Sequence, residues 1–173
     1  MQRKSIQGIY PFTTTQKTLE TFSWLLFLGI AGLLMHMLGQ PSERLAVRFD
    51  LDGNPVRWGD RSNLLELTAL LVVVQTALST LVWKLKALWP HLKNLPAVEA
   101  NNEQHVFQTY RTFLQTLRLV ILMLLGVMVW QIHLASTGVA FQALVLVLPL
   151  VLMMPVLIGV FMGIASKPSR SRA

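Results

Sequence analysis

Four long apolar runs constrain this chain more than anything else in it: Leu19–Gly39, Leu64–Trp83, Leu119–Ala135 and Val139–Ala165. A helix of roughly 20 apolar residues crosses a bilayer core about 30 Å thick. Each run has that length, so the sequence predicts an all-α integral membrane protein with four transmembrane helices. Only 13% of its 173 residues are charged, against about 25% in soluble domains. Four spans use most of the chain, so residues 1–173 are expected to form a single membrane domain, with membrane lipid as its main partner. Cysteine is absent, which excludes disulfides, thiolate metal sites and cysteine nucleophiles.

The net charge of +7 does not point to nucleic acid, because the positive residues cluster beside the spans. Arg3, Lys4, Lys17, Lys84, Lys86, Lys93, Arg111, Lys167, Arg170 and Arg172 fall on one side with Glu20, Glu99 and Glu103. On the other side Arg44, Arg48, Arg57 and Arg61 are matched by Glu43, Asp50, Asp52 and Asp60. Basic loops stay in the cytoplasm, so both termini are expected there. The first run is longer than a signal-peptide core and no small-residue cleavage pattern follows it, so it is expected to stay as a signal anchor.

Pro90 and Pro96 make Trp89–Val98 a loop, which places Trp89 in a mobile cytoplasmic segment. From Glu99 onward, Val106, Phe107, Tyr110, Phe113, Leu114 and Leu117 recur every three or four residues. That spacing predicts a helix running unbroken into the third span, with residues 99–165 forming a second helical pair. Its apolar stripe suits the protein's own helices better than the membrane surface. The fourth run carries Pro149 and Pro155, so a bend or tilt would fit it to the bilayer. Gly159 and Gly163 allow close helix approach; packing within the chain is favoured, and a homo-oligomer stays open.

Between the first two runs, Leu45–Gly59 reads as a β-hairpin on the outer side. Val47, Phe49 and Leu51 alternate with Arg48 and Asp50; Asp52-Gly53-Asn54 supplies a turn; Val56 and Trp58 continue the apolar face. An isolated hairpin is marginal in water, so Trp58 is expected to rest on the outer helix ends. The Asp50-x-Asp52-Gly53 pattern fits a turn better than a calcium loop, because the remaining ligands are missing.

This loop between two spans resembles the domain-of-unknown-function 1648 family, whose domain also opens the SdpI-like bacterial immunity and signalling proteins. Val47-Arg48-Phe49 takes the family's strand position, Gly53-Asn54-Pro55 its turn and Trp58-Gly59 its aromatic-glycine pair. Arg61 stands where a lysine is usual, Arg48 replaces a usual histidine, and Arg57 falls where aspartate is frequent. The resemblance covers residues 20–85. It implies a bacterial inner-membrane protein that recognises a protein or peptide partner through its outer loop; within that loop Arg48, Asp50, Arg57, Trp58 and Arg61 are the candidate partner-binding residues.

Polar residues in spans are costly and face a bundle interior or water. His36, Glu66, Gln131, His133 and Gln142 share the outer level, and so form a candidate polar vestibule beneath the hairpin. Two histidines and a glutamate could ligate zinc, yet headgroup-level polarity accounts for all five residues better. Arg118 is expected to snorkel to the cytoplasmic surface. Gln75, Thr76, Ser79 and Thr80 suit bonding between helices better than lining a pore. No metalloprotease, nucleophile-elbow or phosphate-loop motif is present. The chain is therefore read as no enzyme, with no cofactor, no metal and no catalytic residues; a small transporter or channel is the alternative.

Overall fold

The computed structural model describes residues 10–40, 44–89, 103–139 and 142–166, with the side chains of residues 44, 144 and 164–166 left aside. The element order is α1 (Thr14–Gly39), β1 (Arg44–Phe49), β2 (Pro55–Asp60), α2 (Ser62–Leu88), α3 (Glu103–Ser136) and α4 (Leu144–Ser166). All four helices are long and apolar enough to cross a membrane. The proline-bearing loop at 90–98 and residues 99–102 lie outside the described residues.

Helix α1 starts earlier than its apolar run. Thr13 and Gln16 form a reciprocal capping box: the Gln16 amide donates to Thr13 Oγ1 at 3.3 Å, and the Thr13 amide to Gln16 Oε1 at 3.2 Å. Two otherwise orphaned N–H groups are thereby satisfied, which sets the first turn in the threonine run. Helix α3 ends at Ser136, where Gly138 takes a φ of 81° and the Val139 amide reaches back to Leu134 O at 3.0 Å. That left-handed residue closes the last turn and reverses the chain toward α4.

Helices α1 and α3 run parallel, since Gln16 meets Gln108 near one end and His36 meets His133 near the other. Helices α2 and α4 run antiparallel to α3: Leu67 lies near Ile132 and Leu85 near Val106, and Leu146 lies near Trp130 and Phe161 against Phe113. The core nearer the hairpin is made by Ile30, Leu34 and Met37 of α1, Leu64 and Leu71 of α2, Leu122, Leu125 and Val129 of α3, and Leu45 of β1. A smaller core at the opposite, terminal end joins Leu85, Trp89, Val106 and Phe107. Helix α4 packs against α3 and is exposed over its apolar length. Among the described residues, a Cβ added at Gly159 meets no atom within 4 Å, so the expected close packing of a neighbouring helix is not seen at that glycine.

Two expectations about tryptophans are reversed. Trp89 is not in a mobile loop: it is 2% exposed, caps the end of α2, and its ring lies 5.4 Å from Tyr110 at 89° and 6.2 Å from Phe107. The aromatic stripe at the start of α3 supplies the apolar surface that holds it. Trp58, expected to dock, is 48% exposed. Ala46 pairs with Trp58, Arg48 with Arg57 and Phe49 with Pro55, with irregularities on either side of Arg48. Each irregularity inserts a residue and shifts the alternation of faces. Leu45 and Ala46 are buried and Phe49 packs against the core, whereas Val56 is 58% exposed and Trp58, across from Ala46 on the same face, stays half exposed.

Candidate functional site

The hairpin end was the place the sequence marked, and the structure gives its residues two kinds of work. Asp50 and Arg61 hold the loop in shape. The Asp50 carboxylate accepts from the Asn54 amide at 2.7 Å and from the Asn54 side chain at 3.3 Å, while Gly53 takes a φ of 85°. The Asn54 amide bond holds the Asp50 carboxyl below the usual carboxylate range. Arg61 Nη2 donates to Gln40 O at 2.6 Å, which ties the start of α2 to the end of α1 across the base of the hairpin. A cation on a helix's last carbonyls is also favoured by the helix dipole.

Arg48, Arg57 and Trp58 are exposed instead. The two arginines are directly paired across the strands and exposed, and no ion pair reaches either among the described residues. Like charges in that position destabilise a ladder. Beside them Leu51 is 78% exposed and Val56 58%. Gly59, next to Trp58, has no room for a side chain: a Cβ would stand 2.7 Å from Val47 Cγ1 and 2.5 Å from Asn63 Nδ2. Under the hairpin, a cavity of about 310 Å³ lies between β1, α2 and α3, lined by Leu45, Val47, Leu67, Met128 and Ile132 with Asn63 and Glu66 as its polar members.

The five vestibule residues share one end but do not converge. His36 and His133 stack edge to face at 6.0 Å, and His36 Nε2 lies 3.0 Å from Gln40 Nε2. His133 also meets Trp130 at 5.8 Å, and its Nδ1 is buried without a partner. Glu66 belongs to the cavity under the hairpin, Gln142 is exposed at the approach to α4, and Gln131 is partly buried. Among the described residues, no three His, Asp or Glu side chains come together as a metal site would require.

The sequence missed a polar column toward the other end. Arg118 does not snorkel: it is 0% exposed and donates to Glu20 Oε2 at 2.7 Å, Glu20 Oε1 at 3.2 Å and Ser79 Oγ at 2.6 Å. A carboxylate on the parallel helix α1 and a hydroxyl on α2 give the guanidinium closer partners than the surface would. Trp24 donates to the same carboxylate at 3.0 Å, and Gln115 at 3.1 Å. Toward the terminal end, Gln16 Nε2 donates to Gln108 Oε1 at 2.7 Å and Thr112 Oγ1 at 3.0 Å. Arg111 lies 4.4 Å from the Phe12 ring centre and 4.5 Å from that of Phe107, and donates to Tyr10 O at 2.9 Å. A signal for the column was present: residues 16, 20 and 23, then 75 and 79, then 108, 112, 115 and 118 are polar at helical spacing.

Fold and site thus define an α-helical protein with four membrane-length helices and a two-stranded hairpin between the first two. No family model, no curated protein and no solved structure matches the chain.

Proposed function

We propose that this is a non-catalytic, multi-pass protein of a bacterial cytoplasmic membrane that recognises a protein or peptide partner through its outer hairpin, with both termini in the cytoplasm. The observation that carries the proposal is the exposed Arg48–Arg57 pair beside Trp58. Two facing guanidinium groups repel each other until carboxylates neutralise them, and each offers a planar donor fork to a carboxylate. Tryptophan and arginine are also the residue types that dominate binding energy at interfaces. The partner this surface suits is an acidic segment with an apolar anchor. The resemblance of the loop to the domain-of-unknown-function 1648 family supports the same reading, with immunity, envelope sensing or an accessory subunit as its settings.

A small transporter or channel is the second reading, favoured by the buried polar side chains of Gln75 and Gln115 and by the partly buried Ser79. One experiment separates the two. The full chain is crosslinked and recovered from native membranes as wild type, Arg48→Ala with Arg57→Ala, Trp58→Ala, and Gln75→Ala with Thr76→Ala. The same proteins are reconstituted in liposomes for flux. Loss of the crosslinked partner in the hairpin variants alone is expected. No partner for wild type, together with flux abolished by the α2 change, would overturn recognition.

A further inference from the structure

The cavity beneath the hairpin carries a carboxylate that the fold does not use. It measures about 310 Å³ and lies between β1, α2 and α3. Ligand pockets run from about 300 to 1,000 Å³ and combine apolar walls with a few polar groups. Here Leu45, Leu67, Met128 and Ile132 are walls, and Asn63 and Glu66 are the polar groups. Asn63 and Glu66 are three residues apart on α2, so they are neighbours on one face of the helix. Among the described residues, no hydrogen bond or ion pair reaches Glu66. Arg61, five residues before it, is held by Gln40 O at 2.6 Å. Glu66 is exposed while Leu45 is buried, which puts the charge at the wet rim of an apolar pocket.

We propose that this cavity binds a small organic cation, an ammonium group carried on an apolar body, with Glu66 as its counter-ion and the Asn63 amide beside it. An anion would be repelled by Glu66. A bare metal ion would find one carboxylate, with no cluster of acidic or imidazole side chains around it among the described residues. A neutral hydrocarbon would fill the walls and leave the carboxylate unmatched. An amphiphilic ammonium satisfies both parts of the pocket. Its body covers the apolar walls, and its charge stays at the rim beside Glu66. There it keeps much of its water and escapes the desolvation cost of a buried ion. This site is separate from the exposed Arg48, Arg57 and Trp58, and it does not rest on partner recognition by the hairpin.

The probes are benzyltrimethylammonium and an anion of similar size, benzenesulfonate. Their binding to the full chain in a non-ionic detergent is followed by calorimetry. The cation should bind saturably and the anion should not. Glu66→Gln keeps the shape of the side chain and removes its charge, at an exposed position where Tm should hardly move. Its Kd for the cation should rise about three- to fivefold, the range of an ion pair at a solvated rim. Raising the salt to about 0.5 M should weaken binding to wild type and leave Glu66→Gln unaffected. Met128→Trp fills the cavity from α3 at a half-exposed position, and should abolish binding while Tm reports an intact fold. Absence of saturable cation binding to wild type, an equal Kd for Glu66→Gln, or benzenesulfonate binding as tightly overturns the proposal. Undiminished binding to a folded Met128→Trp variant overturns it as well, because the cation would then sit elsewhere.

Discussion

Replacing Glu20 and Arg118 singly and together tests whether the buried pair binds the helices or is only tolerated by them. Arg118 is fully buried and Glu20 is partly buried, its side chain 15% exposed, and they meet at 2.7 Å. Glu20→Leu leaves the guanidinium with Ser79 as its remaining partner at 2.6 Å. An uncompensated buried charge of this kind costs about 3–5 kcal/mol. For a chain of this size that corresponds to a Tm loss of about 6–20 °C. Arg118→Met should cost a similar amount by stranding the carboxylate, softened by Trp24 and Gln115, which still donate to it. The double variant should return to within about 1 kcal/mol of wild type or exceed it, because buried pairs give back most of their attraction as desolvation. Little else is stranded: Gln115 keeps its bond to Gln16 O at 3.1 Å, and Ser79 can bond its own helix as Thr76 does to Val72 O. The assay is thermal unfolding of all four proteins in one detergent, followed by circular dichroism. Single effects that add within about 0.5 kcal/mol would mean that the two side chains do not interact, and would refute the buried pair.

Two further outcomes follow from the fold. Trp89→Ala should lower stability by about 3–5 kcal/mol, whereas Trp58→Ala should cost about 1 kcal/mol or less, because one ring is enclosed and the other is half exposed; thermal unfolding with equal shifts for both would place Trp58 in a packed site. Cysteines at Asp52, Thr14 and Gln104 check topology in intact cells: an impermeant thiol reagent should label position 52 and spare 14 and 104, and labelling of 104 from outside would reverse the orientation drawn from the basic residues.

The helices were legible because apolar runs of membrane length leave few alternatives, and their ends moved only where local chemistry intervened. The Thr13–Gln16 capping box extended α1 backward, and the apolar stripe of Val106 and Phe107 captured Trp89 and lengthened α2. The hairpin was legible in its turn, since Asp50, Gly53 and Asn54 carry that geometry in their own side chains and backbone. Its docked face was not legible. Alternation gives the face a side chain takes and not how far that face is covered, so a Trp58 that is 48% exposed opposite a buried Ala46 could not be read from the pattern.

Arg118 shows the same limit in the bundle. Its position in the chain gives depth, about 27 Å along α3 from Ser136, which is near the far edge of an apolar band. Depth alone favours snorkelling. What decides its behaviour is azimuth, and azimuth is set by which helix lies opposite. Because α1 runs parallel to α3, Glu20 arrives at the same height, about 28 Å along α1 from Gly39. Ser79 of α2 arrives from the other side. Three helices thus converge on one charge pair near the terminal end, while Arg48 and Arg57 at the hairpin end stay exposed. Charge that is buried and paired fixes helix packing, and charge left exposed and unpaired remains free for recognition. That division is why substitutions at Glu20 should act first on stability.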